Sequence, residues 1–214
     1  MLEETLPALD ALREKGLVRA IGVTGYPLDV QREIIEKSRV KITTSLAYAH
    51  LNLHDTSLLS SDFAEVCKER GVQLLAAAPL SMGLLTHSPP PSWHPAGCHL
   101  KEKCSRAAKY CESKGVNLSR IATIYALSFA EIPCTLIGMK NQEELENALN
   151  AAKSIAEPFN FDNQDLKRLP LNRQEAAVLT TLLSDERFFG GGQEFWDGKE
   201  EARKWWRANK LENV

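Results

Sequence analysis

The chain has 214 residues, 43% of them hydrophobic and 25% charged, with a net charge of -2 at pH 7 and a pI near 6.2. Those values suit one soluble globular domain with a sizeable core. They lack the clustered Lys and Arg that phosphate neutralisation demands, so nucleic acid is not expected as a partner. No apolar run reaches the roughly 20 residues that span a bilayer, and Met1 to Ala20 mixes acids with apolar residues, unlike a signal peptide. The expectation is therefore no membrane association and a cytoplasmic location. The five cysteines are odd in number and unevenly spaced, which reads as reduced thiols rather than a disulfide framework.

Leu2, Leu6, Leu9 and Leu12 recur at helical spacing up to Lys15-Gly16, a C-terminal stop, with Pro7 tolerated near the first turn. Val18 to Val23 reads as a short strand, and Pro27 suits the first turn of a helix over Leu28 to Lys37. Thr43 to Ala49 gives a second strand. A helix over Leu58 to Arg70 follows, its Leu59, Phe63, Val66 and Cys67 forming one apolar stripe that ends at Gly71. Val72 to Ala78 is the third strand, closed by Pro79. The long proline-rich segment from Leu80 to His99 has the length of a functional lid or binding loop. Lys101 to Ser113 and Ser119 to Ala130 are helices separated by Gly115-Val-Asn117, with Asn117 or Ser119 as the N-cap. Cys134 to Gly138 is a fourth strand, and Gln142 to Ile155 a helix with Leu145, Ala148, Leu149 and Ala152 turned inward.

Strands alternating with helices imply an α/β fold, a parallel sheet with its faces covered by crossovers. A closed (β/α)₈ barrel takes about 250 residues, and only about 155 here carry the βα rhythm, roughly half of one. The expected division is a barrel half over 1–156 and a tail over 157–214. The tail is expected to hinge at Gly190-Gly-Gly192 and to form a helix from Asp197 to Leu211.

Ala20-Ile-Gly-Val-Thr-Gly-Tyr26, Ala77-Ala-Pro-Leu-Ser-Met-Gly-Leu-Leu85 and Leu136-Ile-Gly-Met139 with Glu144-Leu-Glu-Asn147 resemble the aldo-keto reductases in order and spacing. Ser45-Leu-Ala-Tyr-Ala-His50 and Pro90-Pro-Ser-Trp-His-Pro-Ala96 are most similar to the sugar dehydrogenase branch that includes L-galactose dehydrogenase. The resemblance implies a partial (β/α)₈ TIM barrel, strands 5–8 with their helices, followed by a helical tail. It also implies a nicotinamide dinucleotide across the C-terminal mouth and hydride transfer to or from a small carbonyl or sugar substrate. Proton transfer in the family falls to a Tyr, Lys, Asp and His on the first four strands, which this stretch does not include. The chain alone is then expected to be inactive, with no catalytic residue assigned. Tyr26, Tyr48, His50 and His54 stand near strand ends without restoring that set, and Tyr48 and His50 read better as packed or hydrogen-bonded structural residues.

By the same resemblance, Thr24 and Gly25 stand beside the nicotinamide carboxamide, where many members have Ser-Asn. Leu80, Ser81, Met82 and Gly83 match the loop crossing the pyrophosphate, where backbone N–H groups can meet phosphate oxygens. Met139, Lys140, Glu144 and Asn147 match the segment holding the adenosine end, at a helix N-terminus. Leu46 and Ala77 stand where many members carry Gln and a stacking Tyr. Glu144 replaces a frequent Arg, and a carboxylate repels a 2′-phosphate while accepting from a ribose hydroxyl. NAD is therefore preferred, with NADP second.

His94, Cys98, His99, Cys104 and Cys111 crowd one region without a tight ligand pair, so no metal is expected; Cys104 and Cys111 read as packing on one helix face. Trp196, Trp205 and Trp206 read as covers for exposed core or for another subunit. Two readings stay open. One is a truncated copy of a complete dehydrogenase. The other is a non-catalytic dinucleotide-binding or interaction protein that closes its open sheet edges as a homodimer.

Overall fold

Gly16, at φ 72°, lets the chain turn out of its first helix, and from there the expected rhythm follows. The computed structural model describes residues 1–90, 93–155, 158, 165–190 and 193–194. Helix α1 (Thr5–Glu14) leads to strand β1 (Gly22–Gly25), α2 (Leu28–Lys37), β2 (Thr44–Tyr48), the single-turn α3 (Ser57–Ser60), α4 (Phe63–Glu69) and β3 (Gln73–Ala77). A 3₁₀ turn at Ser81–Gly83 precedes α5 (Cys98–Ser113), α6 (Leu118–Leu127), β4 (Thr135–Leu136) and α7 (Gln142–Ser154). A second 3₁₀ turn, Leu166–Arg168, and α8 (Arg173–Ser184) complete the described elements.

The four strands form one sheet in the order β1-β2-β3-β4, every neighbouring pair parallel. The order never reverses. With right-handed crossovers, such a sheet carries its helices on one face, as barrels do, whereas a doubly wound sheet needs a switch point. Burial agrees with that topology. Ser45, Ala47, Leu74 and Ala76 are buried beneath the helices. On the opposite face Thr24 is exposed and Leu46, Tyr48 and Leu75 are half-buried. The expectation that crossovers cover both faces is thus corrected to one. The register sets Gly22 against Thr44, and a Cβ on Gly22 would come within 2.3 Å of Thr44 Oγ1, so a larger residue there would make the Thr44 hydroxyl move aside.

The core runs from Leu6 through Ile35, Phe63, Leu85 and Ile121 to Phe129, with Phe129 meeting Tyr125 edge to face at 5.1 Å. Residues 165–190 join the same core through Leu169, Val178, Leu179, Leu182, Phe188 and Phe189. Helix α8 opens with a full capping box, Asn172 and Glu175 exchanging side-chain and backbone bonds, and Glu175 also accepts from Arg120 Nε at 3.1 Å. The tail helix expected over Asp197 to Leu211, with Trp196, Trp205 and Trp206, lies outside the described residues, as do Gly191 and Gly192 of the expected hinge.

Three local expectations are corrected. The helix over Leu58 to Arg70 is two pieces, α3 and α4, because Ser61 is extended (ψ 164°) and its Oγ accepts from Phe63 N, a local bond that competes with the helix. Helix α5 begins at Cys98 rather than Lys101. Leu145 and Leu149 do not face inward: they are 43% and 45% exposed, while Ala151 is buried. The small-residue face of α7 is the one that allows close approach to the body of the fold.

Candidate functional site

Because all four strands are parallel, their C-terminal ends lie along one edge of the sheet, the edge where ligands bind in α/β folds. Thr24 and Gly25 end β1, Leu80 to Gly83 follow β3, and Met139 to Asn147 follow β4 into α7. The topology therefore brings all three predicted segments to the same edge.

The backbone there is strained. Among the described residues, the non-glycine residues with positive φ are Ala49 (61°) and Ala78 (56°), directly after β2 and β3, and Ser81 (48°) and Met82 (54°) in the 3₁₀ turn that follows β3. Each such position costs on the order of 1–3 kcal/mol and persists only where its surroundings enforce it; such residues cluster at functional sites. Ala49 N donates to Ala77 O at 2.9 Å and Ala78 N to Leu136 O at 3.1 Å, while Asn52 Nδ2 donates to Ala49 O at 2.8 Å.

At the β1 end Thr24 is exposed, its hydroxyl donating to Leu46 O at 3.2 Å. Gly25 is oriented from behind by the buried Gln31. The amide Nε2 of Gln31 donates to Gly25 O at 3.0 Å, and its Oε1 accepts from Ser45 Oγ at 2.7 Å. Sequence reasoning passed over Gln31, which gives no sign beyond being a polar residue on a helix.

The histidines after β2 are structural in geometry. His50 Nε2 donates to Tyr26 O at 2.6 Å, and its Nδ1 lies 3.0 Å from Asp55 Oδ2 and 2.7 Å from Ser57 Oγ. Burial pushes the Asp55 carboxyl up, but hydrogen bonds from His50 and Ser57 outweigh it and hold the group below its ordinary value. The half-buried Tyr48 hydroxyl is raised by burial, the opposite of the shift that an activating cation produces.

The loop after β3 differs from the expectation in its donors. Ser81 N donates to Ala78 O at 2.9 Å, Gly83 N to Leu80 O at 3.0 Å, Leu84 N to Ser81 O at 3.2 Å and Leu85 N to Leu80 O at 3.2 Å. A phosphate here would share donors with the turn's own carbonyls rather than meet a ring of free N–H groups. The Ser81 side chain faces inward and is fully buried, 2.7 Å from His54 Nε2. Burial pushes His54 down to about 4, and burial also lowers His94.

At the β4 end, Asn141 caps α7 by accepting from Glu144 N at 2.9 Å. Glu144 turns back to accept from Lys140 N at 2.9 Å and meets Lys140 Nζ at 3.5 Å. A carboxylate of the chain itself thus lies at this helix N-terminus. Met139 and Asn147 are exposed beside it.

No group of His, Cys, Asp and Glu suited to a metal occurs among the described residues, and no described helix is long and apolar enough to cross a membrane. Cys104 and Cys111 are buried on the inner face of α5, where burial raises their thiols to about 12 and about 11.

The aldo/keto reductase family model matches residues 1–169. The chain belongs to this family. The match to this family passes beyond 156, into the segment that the sequence reading set apart as tail. Over 181 residues the chain is 35% identical to L-galactose dehydrogenase of Arabidopsis thaliana, covering 84% of this chain and 56% of that protein. Over 154 residues it is 31% identical to D-arabinose 1-dehydrogenase of Saccharomyces cerevisiae, covering 69% of this chain and 46% of that protein. The chain spans about half the length of the curated relatives it matches. An aldo-keto reductase from Bacillus halodurans in its holo form superposes with a TM-score of 0.56 at 17% identity, over 90% of this chain and 58% of that one. A thermostable aldo-keto reductase solved with the inhibitor epalrestat gives 0.50 at 21% identity, over 85% and 54%. At these identities the structural likeness carries the fold, a TIM-barrel-like parallel sheet.

Proposed function

We propose that these residues are the cofactor-holding part of an NAD(P)-dependent sugar dehydrogenase, strands 5–8 of its barrel with residues 1–156 as the barrel portion. The observation that carries this reading is the convergence of three family-matched segments on one strained, C-terminal sheet edge. Thr24 and Gly25 would hold the carboxamide end, Leu80 to Gly83 the pyrophosphate, and Met139, Lys140, Glu144 and Asn147 the adenosine end. A bound nicotinamide dinucleotide supplies the hydride acceptor or donor, and the chain's own residues orient it.

Glu144 supports NAD over NADP, because its carboxylate occupies the α7 N-terminus and would repel a 2′-phosphate, with Lys140 already paired to it. The substrate class suggested by the relatives is a small aldose. No catalytic residue is assigned here. Tyr48, raised by burial, and His50, held between Tyr26 and Asp55, are poor proton-transfer groups, so turnover would need the Tyr, Lys, Asp and His set that the family carries on other strands.

A second reading, a non-catalytic dinucleotide-binding protein that self-associates, is favoured by one observation. The β4-α7 border exposes Leu136, Met139, Leu145 and Leu149 beside a sheet edge, a surface that monomers usually cover. Titration with NAD and NADP, followed by Trp fluorescence, and an assay with L-galactose separate the readings. Binding without turnover is expected. Turnover by the 214-residue chain would contradict the reading of Tyr48 and His50 as poor proton-transfer groups, and failure to bind either dinucleotide would refute both readings.

A further inference from the structure

We propose that His54 and His94 act as positioning residues, a two-sided clasp on Ser81 that holds the Ala78–Gly83 turn in the shape receiving the dinucleotide's pyrophosphate. This rests on the cofactor reading of the same edge.

Ser81, at φ 48°, stands beside Met82 at 54° and three residues after Ala78 at 56°. A non-glycine residue relaxes from that region unless its neighbours prevent it. Its polar atoms are held from both sides. His94 Nδ1 accepts from Ala96 N at 3.1 Å, so the ring proton lies on Nε2, which donates to Ser81 O at 3.0 Å. His54 Nδ1 faces the Glu194 carbonyl and carries the proton there, leaving Nε2 to accept from the Ser81 hydroxyl at 2.7 Å. Each tautomer is set by its outer partner, and both rings are needed neutral.

The surroundings favour that state. Both histidines are buried, and burial lowers both. The charged groups facing them are Asp55 and Glu194 at His54 and Lys101 at His94, and His94 in turn disfavours charge on His54. Glu194 is itself paired with the buried Lys103 and with His99 at 3.3 Å. Glu194 N also donates to His54 O at 2.8 Å, so the outer partner of His54 is fixed from α5 as well as from its own backbone.

The arrangement is more than packing, because the hydrogen bonds converge on one residue of the turn. Neutral His54 can be imitated at Nε2 by the amide oxygen of Gln, but not by Ala. Hydrogen exchange on the full unliganded chain should show the segment Ala78–Leu85 exchanging about tenfold faster in Ser81→Ala and His54→Ala. It should return close to the wild-type rate in His54→Gln, and strand β2 should be unchanged in all three. In titrations with ADP-ribose, which contains the pyrophosphate, Ser81→Ala and His54→Ala should bind about tenfold more weakly and His54→Gln close to wild type. Exchange unchanged in the turn, or His54→Gln as fast as His54→Ala, would overturn the clasp. A loosened turn with unaltered ADP-ribose affinity would overturn its role toward the ligand. Wild-type chain that binds no ADP-ribose would instead remove the cofactor reading and that role with it, an outcome distinct from equal binding by wild type and variants.

Discussion

Acidification gives the sharpest physical test of the buried His54. Its pKa falls from an ordinary 6.5 to about 4 because burial penalises the imidazolium. The unfolded chain therefore takes up a proton near pH 6.5, while the folded chain resists until about pH 4. Stability from this group is complete above pH 6.5 and is lost as pH falls through that window, with His94 acting in the same direction. A shift from 6.5 to about 4, at roughly 1.4 kcal/mol per unit, makes the full loss about 3 kcal/mol. Asp55, held below its ordinary value, adds a loss only at lower pH. Urea unfolding of wild type and His54→Gln at intervals from pH 7 to 4 isolates the histidine, because the other carboxylates titrate in both proteins. The stability advantage of wild type over the variant should shrink by about 3 kcal/mol between pH 7 and 4. An advantage constant across that range would refute the claim that burial holds His54 neutral.

Gln31→Leu should destabilise the chain by about 1–3 kcal/mol in urea unfolding, because it strands the Ser45 hydroxyl and the Gly25 carbonyl that Gln31 now satisfies. Glu144→Arg should improve NADP affinity relative to NAD by about tenfold, as a guanidinium replaces the carboxylate at the α7 N-terminus; calorimetric titration reads the ratio. Replacing Leu145 and Leu149, exposed beside Leu136 and Met139, with Lys should leave unfolding stability within about 0.5 kcal/mol. If this face joins two copies, light scattering of that double variant should move from dimer toward monomer.

The α/β rhythm was legible because its signals are local. Asn117 caps α6 by accepting from Arg120 N, Gly16 turns the chain out of α1, and Pro27 stands at the start of α2, each through a constraint that residue type carries by itself. The inner face of α7 was not legible: apolar periodicity weights Leu145 and Leu149, whereas close packing selected the small Ala151. The break at Ser61 escaped for a related reason, since a serine hydroxyl competing with the helix is invisible in an apolar stripe. The edge carrying Thr24, Leu80 to Gly83 and Met139 to Asn147 could be placed from strand order and family motifs. Its supports could not. His54 lies 27 residues from Ser81 and Gln31 lies 14 from Ser45, and pairings at such separations follow from the folded sheet rather than from any local pattern. The inward turn of the Ser81 side chain and the internal use of the loop's N–H groups belong to the same class.

The central claim is that one sheet edge holds a nicotinamide dinucleotide, and hydrogen exchange of the full chain with and without saturating NAD tests it most directly. Protection should rise together in the three segments 24–25, 80–83 and 139–147, with α1 and α8 unchanged. Protection confined to another region, or none at NAD concentrations up to about 1 mM, the upper end of ordinary cofactor and substrate affinities, would contradict it.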